Sequence, residues 1–207
     1  SIPRLVDKAI ADGMKGIAVT DHGNMMGIKE FYNYVNKKNK GKSDEEKFKP
    51  IIGCEMYVAP RRLYNKEGKE DQKAFHLVVL AKNLTGYHNL VKLVSKAWSE
   101  GYYYHPRTDK FELEKHKEGL IVSSACLGGE LPQTILNKGI DAASEVVEEF
   151  KTMFGDDYYL ELQNHGHEEQ KIVNQALMEL SKKHDVKLIA TNDTHFVYKE
   201  DRMAHKI

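Results

Sequence analysis

The stretch Ile17-Ala18-Val19-Thr20-Asp21-His22-Gly23-Asn24 decides how the chain is expected to fold. It is typical of a short apolar strand that ends at two polar residues, after which glycine and asparagine let the backbone turn. The pattern recurs near the other end as Leu188-Ile189-Ala190-Thr191-Asn192-Asp193-Thr194-His195. Because functional groups of α/β folds gather where strands end, the two stretches predict one shared metal site at the mouth of a sheet or barrel.

The composition is that of a globular protein, with 41% hydrophobic and 30% charged residues among 207. Its 31 basic side chains are balanced by 31 acidic ones, which argues against a dedicated nucleic-acid binder. The two cysteines form no disulfide framework, so a reducing, cytoplasmic location is predicted. No apolar run approaches the ~20 residues that span a bilayer, so no membrane partner is expected.

Strand and helix patterns alternate along almost the whole chain. Strands are predicted at 17–20, 50–58, 76–81, 120–124, 158–163 and 187–192. Helices are predicted at about 25–36, 84–101, 110–117, 140–153 and 168–184, and charged surface loops at 37–49 and 61–73. This alternation predicts an α/β fold with a mostly parallel sheet, open or closed into a barrel, in a single domain over 1–207.

Eight polar residues near the ends of predicted strands are of metal-ligand type. They are Asp21, His22, Glu55, His76, Cys126, His165, Asp193 and His195. Residues two apart in an extended segment point to the same side, so Asp193 and His195 can face one metal. Asp21 and His22 are adjacent, so His22 is predicted as the ligand. Asp21 is then expected behind it, orienting an imidazole or a bound water, although a turn or N-cap role is equally open.

Glu55 lies in the middle of an apolar strand, where an unpartnered carboxylate costs several kcal/mol. A metal or a basic side chain would each resolve that cost, and the metal is favoured here. His76 precedes its apolar run instead of following it. It reaches the same mouth only if its strand runs antiparallel or if the site lies lower, so the pattern alone disfavours it.

Three further features stay open on the sequence alone. Cys126 follows a strand, and it suits either a thiolate ligand or a nucleophile. His165 precedes Gly166 at a strand end and suits either a ligand or a turn residue. The aromatic loop 102–107 could stack nucleobases beside Arg107, although tyrosines that pack on the surface explain it more simply. The remaining histidines, His105 among them, are predicted to be ordinary surface residues.

Histidine, carboxylate and thiolate ligands together suit Zn²⁺ or Mn²⁺, with Mg²⁺ as a further candidate. Such a centre can generate metal hydroxide near neutral pH and neutralise charge on a phosphate. The chemistry therefore predicts phosphoester hydrolysis.

Six motifs in order make the chain resemble a known family. They are Thr20-Asp21-His22-Gly23-Asn24, Pro50-Ile51-Ile52-Gly53-Cys54-Glu55, His76-Leu77-Val78-Val79-Leu80-Ala81-Lys82-Asn83, Ser124-Ala125-Cys126-Leu127-Gly128-Gly129-Glu130, Leu160-Glu161-Leu162-Gln163-Asn164-His165-Gly166 and Ala190-Thr191-Asn192-Asp193-Thr194-His195. Together they resemble the PHP (polymerase and histidinol phosphatase) domain, in the branch found at the N-terminus of the bacterial DNA polymerase III alpha subunit. The resemblance covers essentially the whole chain.

The resemblance implies a distorted seven-stranded (β/α) barrel. It implies a metal centre at His22, Glu55, His76, Cys126, Asp193 and His195, with His22, Asp193 and His195 as catalytic residues. The family's first strand carries an H-x-H motif that would lie upstream of Ser1. The chain is therefore expected to be an N-terminally truncated PHP domain that lacks this strand and the polymerase domains, with an incomplete metal cluster.

The implied function is that of a replicative DNA polymerase, a nucleotidyltransferase, whose PHP domain carries a metal-dependent phosphoesterase or 3′–5′ exonuclease site in the intact parent. The truncated chain alone is not expected to polymerise DNA. The competing hypothesis is a non-catalytic module that docks a proofreading subunit and stabilises the polymerase. The implied partners are DNA, the proofreading exonuclease subunit and other replisome subunits. A free-standing phosphatase is disfavoured by the polymerase-type motifs.

Overall fold

The predicted strands and long helices are present in the computed structural model of the protein, which describes residues 1–205. The chain divides into two compact units. The first contains Ser1–Val19, Met26–Ile52 and the chain from Asp193 onward, and the second contains Thr20–Met25 and Gly53–Asn192. None of the helices in the described part of the chain is long and apolar enough to cross a membrane.

The first unit is built on two amphipathic helices and a strand pair. Helix α1 (Ile2–Ala11) has proline in its first turn, and α2 (Ile28–Asn39) continues into the stretch predicted to be loop. They bury Val6 and Ala9 from α1, and Ile28, Phe31 and Val35 from α2. Strand β1 (Gly16–Val19) runs parallel to the first half of β2 (Lys49–Val58), in the register Gly16↔Lys49 to Val19↔Ile52. The unit also contains a 3-10 turn at Lys199–Asp201 and α9 (Arg202–His205).

The second unit carries most of the sheet. Its strands after β2 are β3 (Phe75–Ala81), β4 (Tyr102–Tyr103), β5 (His105–Thr108), β6 (Leu120–Ser123), β7 (Tyr158–Leu162) and β8 (Lys187–Ala190). The hydrogen-bonded order is β4-β5-β2-β3-β6-β7-β8. The predicted α/β fold class is confirmed, with a curled, half-barrel sheet.

Helices follow most strands of this unit. They are α3 (Gly68–Gln72), α4 (Leu84–Ser99), α5 (Lys110–Lys115), α6 (Glu130–Lys138), α7 (Ile140–Phe154) and α8 (Glu168–His184). Asn83 caps α4 by accepting a hydrogen bond from the Gly86 amide at 2.9 Å, and Asp109 caps α5 in the same way. The helices and the sheet bury one apolar cluster, which includes Val79, Leu90, Leu120, Val147, Leu160 and Leu177. Burial of this apolar cluster stabilises the sheet and so holds the strand ends in place.

The sheet is less parallel than the sequence predicted. Strand β3 runs antiparallel to both of its neighbours, β2 and β6, whereas the pairs β2–β5, β6–β7 and β7–β8 are parallel. Because β3 is antiparallel to β2, the first residues of β3 lie beside the last residues of β2. His76, near the start of β3, therefore reaches the mouth of the sheet.

Two segments predicted to be loops contain regular structure. The charged segment 61–73 contains α3, and the aromatic segment 102–107 is a hairpin of β4 and β5. Tyr104 alone connects these two strands, and it has a left-handed backbone with φ of 60°. Such tight connections escape a sequence pattern because they are fixed by pairing rather than by hydrophobic periodicity.

Candidate metal centre

Glu55 and His76 are brought together by the antiparallel pairing of β2 and β3. His76 lies directly across from Tyr57, two residues beyond Glu55, so all three side chains share one face of the sheet. The His76 Nδ1 atom lies 3.0 Å from Glu55 Oε1. Glu55 is only 6% exposed, so its carboxylate depends on this neighbour for compensation.

His22 joins the same group through the backbone. It forms an isolated parallel bridge with Glu55, in which the Gly23 amide donates to the Glu55 carbonyl at 2.9 Å and the Glu55 amide donates to the Asp21 carbonyl at 3.1 Å. These bonds hold the turn after β1 against β2. The His22 Nδ1 atom lies 3.4 Å from Glu55 Oε2, on the other oxygen of the carboxylate.

Cys126 reaches the group from the turn after β6. Its Sγ atom lies 3.4 Å from His76 Nδ1 and 3.7 Å from Glu55 Oε1. The Gly128 amide donates to Sγ at 3.4 Å, and the Gly128 carbonyl accepts from the His76 amide at 3.0 Å. A Cβ on Gly128 would lie 2.9 Å from His76 Nδ1, so glycine is needed there for close approach. Gly128 therefore serves this tight turn.

The protonation of the group follows from its contacts. Hydrogen bonds to Cys126 and Glu55 outweigh burial and raise the pKa of His76 to about 10. Burial works to raise the pKa of Glu55, but the hydrogen bond from His76 and the charges of His22 and His76 outweigh it, and the pKa stays below its usual range. A Glu55 carboxylate beside a His76 imidazolium is therefore the neutral-pH state of the protein without metal.

The donor set suits a divalent cation. Ligand atoms of His22, Glu55 and His76 all lie within 4.8 Å of one another. Two imidazoles and one carboxylate, with a thiol adjacent, are the ligand types that Zn²⁺ and Mn²⁺ accept. Cys54, the neighbour of Glu55, is fully buried on the other side of the strand, and burial raises the pKa of its thiol to about 12. Cys54 is thus an ordinary core residue.

Asp193 and His195 belong to the other compact unit. There the His195 Nδ1 atom lies 2.9 Å from the Asp193 carbonyl oxygen and 3.7 Å from Asp193 Oδ1. Asp193 has a left-handed backbone with φ of 46°. Their membership of the metal centre stays a prediction.

His165 and Asp21 act through hydrogen bonds that the sequence did not reveal. The His165 ring donates from Nε2 to the Asn192 carbonyl at 2.8 Å and accepts at Nδ1 from the buried Gln170 amide at 2.9 Å. Both ring nitrogens are engaged, so His165 anchors the chain just before Asp193 instead of offering a ligand atom. Asp21 is exposed, and its backbone carbonyl also accepts from the Cys54 thiol at 3.3 Å.

Arg107 does not face solvent, which corrects its assignment as a DNA-binding residue. Its side chain is fully buried. The guanidinium donates to the carbonyl oxygens of Gly101, Leu63, Asn65 and Asp71, at distances from 2.7 to 3.1 Å. It therefore pins the charged segment 61–73 to the hairpin, and the guanidinium is not available to a phosphate.

Two aromatic residues of the site were missed by the sequence analysis. Tyr57 stacks on His105 with ring centroids 4.4 Å apart, and it also contacts the rings of His22 and His76 at 5.9 and 5.3 Å. Tyr57 follows Glu55 by two residues in an extended strand, so alternation could have placed it on the same face. No local sequence pattern could have predicted that His105 lies at the site, because its stacking partner Tyr57 belongs to another strand.

A second constellation resembles a catalytic triad but is structural. Ser144 Oγ lies 2.6 Å from His184 Nε2, and His184 Nδ1 lies 3.7 Å from Glu148 Oε1. Ser144 lies inside α7 and is buried, and His184 is the last residue of α8. The contacts tie two helices together, and a buried serine on a helix offers no route to a substrate.

Comparison with known proteins shows the family of the chain. The family model described as "PHP domain" matches residues 1–165. The chain belongs to the PHP domain family. Two solved structures share the fold. A protein from Bifidobacterium adolescentis proposed to be a metal-dependent phosphoesterase superposes with a TM-score of 0.54 at 15% identity, covering 95% of this chain and 84% of that one. An amidohydrolase from Chromobacterium violaceum gives a TM-score of 0.53 at 11% identity, covering 93% and 82%.

The relatives in sequence are named DNA polymerase III subunit alpha. That of Borreliella burgdorferi is 45% identical over the whole of this chain, which covers 17% of the relative. That of Thermus aquaticus is 47% identical over 92% of this chain and 15% of the relative. The PHP domain chain thus spans about a sixth of the length of these relatives.

Proposed function

We propose that this PHP domain is part of a DNA polymerase III alpha subunit and that its cluster is a metal-dependent phosphoesterase centre of the 3′–5′ exonuclease type. The observation that carries the proposal is the convergence of ligand atoms from His22, Glu55 and His76 within 4.8 Å. The names of the relatives support the parent protein. Such a parent acts on DNA in the cytoplasm, with a proofreading exonuclease subunit and other replisome subunits as its partners.

In this proposal His22, Glu55 and His76 hold the metal, with Cys126 beside them and with Asp193 and His195 completing the set. When bound, Zn²⁺ or Mn²⁺ supplies a Lewis acid and lowers the pKa of bound water. The chain's own residues do the rest. The Glu55 carboxylate supplies negative charge in a buried setting. On metal binding, His76 would release to solvent the proton on Nδ1, the atom that faces Glu55 and Cys126. The rings of Tyr57 and His105 cover the adjacent face.

The decisive measurement is metal content. The chain is dialysed against Zn²⁺ or Mn²⁺ and then against metal-free buffer, and the bound ion is quantified by elemental analysis. We expect about one tightly bound ion per chain, and Glu55→Gln should abolish this binding. Glu161→Gln is the matched control, because Glu161 is also 6% exposed and is held by Ser123 and Gln163 instead of by histidines. Equal metal content in both variants would refute the assignment.

Activity is tested in the full-length polymerase. We expect Mn²⁺-dependent shortening of a 3′-ended single strand, which is lost in Glu55→Gln and in Asp193→Asn and kept in Glu161→Gln.

One observation favours the non-catalytic alternative, in which the domain docks a proofreading subunit. The cluster balances its own charge, since the Glu55 carboxylate pairs with His76 at 3.0 Å. A full-length protein that binds no metal, and whose exonuclease subunit dissociates when the cluster is disrupted, would establish that alternative.

A further inference from the structure

We propose that Trp98 and Tyr57 are positioning residues of the metal centre, which hold His22 where it can act as a ligand. This role rests on the metal centre proposed above and concerns how one of its ligands is kept in place. Trp98 acts on the backbone of the turn that carries His22, and Tyr57 acts on the imidazole ring. All three residues belong to the second compact unit.

His22 is the ligand that needs this support. It lies in the turn after β1, whereas Glu55 and His76 lie within strands β2 and β3. The side chain of His22 is 40% exposed, against 8% for Glu55 and 25% for His76. An exposed side chain keeps rotamer freedom that it must give up when it binds a metal. Contacts that order the His22 ring beforehand should therefore raise the metal affinity.

Trp98 holds the backbone of the turn. It lies near the end of α4, and its indole Nε1 donates to the Gly23 carbonyl at 2.8 Å. The Gly23 amide donates in turn to the Glu55 carbonyl at 2.9 Å. The residue that follows His22 is thus bonded to both α4 and β2, so the indole links the ligand turn to a helix that is remote in the chain.

Tyr57 holds the imidazole ring. Its ring lies nearly parallel to that of His22, with centroids 5.9 Å apart and an interplanar angle of 22°. It meets the His76 ring edge-on, at 5.3 Å and 80°. Both are arrangements that aromatic rings prefer. Tyr57 is itself held by His105, which stacks on it at 4.4 Å, so its ring offers a fixed surface to the two proposed ligands.

Gly23 shows how closely the turn is seated against Tyr57. A Cβ on Gly23 would lie 2.8 Å from the Pro106 ring and 3.1 Å from the Tyr57 ring. Gly23 also has a φ of 64°, which favours glycine. The ligand turn therefore packs directly on Tyr57, and a change at Tyr57 should be transmitted to His22.

The affinity for Zn²⁺ tests both residues. It is measured on the 207-residue chain by competition with a chromophoric chelator. Trp98→Phe keeps an aromatic ring but removes the N–H donor, and we expect about tenfold weaker binding, as for other residues that orient a metal ligand. Tyr57→Leu should have an effect of similar size. Tyr57→Phe should keep nearly the affinity of the unaltered chain, because the ring and not the hydroxyl makes the contacts.

Two control variants change neighbouring aromatic contacts. Tyr102→Leu removes the ring that stacks on Trp98 at 5.7 Å but leaves the indole donor. Tyr87→Leu removes a half-buried tyrosine that contacts His88. Both should bind Zn²⁺ as the unaltered chain does. With Co²⁺, the visible spectrum should change in Trp98→Phe and Tyr57→Leu alone, because it reports ligand geometry rather than stability. Equal affinities and spectra in all variants would overturn the positioning role.

A measurement without metal separates this role from the metal centre itself. In EDTA, the ring current of Tyr57 should shift the ring-proton resonances of His22. These resonances should move towards those of free histidine in Trp98→Phe, where the Tyr57 ring is still present but the turn is released. If this is seen in a chain that binds no Zn²⁺, the proposed function fails and the positioning of His22 stands. Unchanged His22 resonances in Trp98→Phe would refute the positioning, whether or not metal binds.

Discussion

A proton on His76 holds the cluster together when no metal is bound. Hydrogen bonds to Cys126 and Glu55 raise the pKa of His76 to about 10, against about 6.5 in an unfolded chain. The stabilisation that this proton gives is therefore fully present below about pH 6.5 and is lost as the pH rises through about 10. In contrast, a metal must displace the proton, so metal affinity should rise over the same range.

We expect the free energy of unfolding in EDTA to fall between about pH 6.5 and pH 10 by more in the unaltered chain than in His76→Gln. Urea unfolding at several pH values measures this difference, and His88→Gln, on the exposed helix residue His88, is the control. Adding Zn²⁺ at neutral pH in weak buffer should release about one proton per ion from His76. Identical pH profiles for the unaltered chain and His76→Gln would contradict the assignment of the proton.

Arg107 is the largest fully buried side chain and is expected to matter for stability alone. Arg107→Met would leave carbonyl groups of 63, 65, 71 and 101 without their donor. Because buried polar groups without partners cost about 1–3 kcal/mol each, we expect a loss of about 3 kcal/mol or more in the free energy of unfolding. Chemical denaturation measures it, and Lys171→Met, in a solvent-exposed ion pair with Glu168, should change stability by less than about 0.5 kcal/mol. Similar losses of stability in both variants would show that the buried hydrogen bonds of Arg107 contribute no more than an exposed ion pair does.

At the scale of elements, β8 presents an apolar strand to solvent. Lys187–Ala190 is exposed along its whole length, with Leu188 and Ile189 about 40% exposed, although an apolar strand of an α/β fold is expected to be buried. Of the strands that the structure describes, β8 pairs with β7 and ends the hydrogen-bonded path. An exposed apolar edge is a template for pairing with another chain.

We therefore expect the 207-residue chain to self-associate through β8. Ile189→Lys should lower the association measured by sedimentation velocity and leave the unfolding temperature nearly unchanged, because a charge on an edge strand opposes edge pairing. Ile172→Lys is the matched control, since Ile172 is also exposed but lies on α8. Equal effects of the two substitutions would mean that general surface hydrophobicity, and not the strand edge, drives association.

At the scale of the whole molecule, the proposed ligands are divided between two compact units. His22, Glu55, His76 and Cys126 belong to the second unit, and Asp193 and His195 belong to the first. Metal binding is coupled by mass action to the stability of whatever the metal contacts.

Hydrogen exchange with and without Zn²⁺ measures this coupling. We expect slower exchange in β2 and β3 in the presence of metal, and slower exchange also across 191–196 if Asp193 and His195 are ligands. The Glu55→Gln variant is the control and should show neither change. Protection of β2 and β3 alone would restrict the centre to the second unit and remove Asp193 and His195 from it.

The sequence by itself determined the strands and the residues that end them. Apolar runs followed by His22 and by Cys126 are local patterns, because a residue at the end of a strand lies at the sheet mouth whichever strand is its neighbour. Glu55 was predicted from a local pattern too, because a carboxylate within an apolar strand is costly to bury without a partner. The fold class followed from alternation alone, and the six motifs identified the family.

Only the tertiary structure decided the direction of β3, and with it the place of His76. Periodicity reports which face of a strand is buried but carries no information on whether its neighbour is parallel, because direction is fixed by pairing between distant segments. The burial of Arg107, the engagement of both ring nitrogens of His165 and the stacking of His105 on Tyr57 have the same origin. Each depends on groups that are remote in the chain and that meet only when the sheet has formed.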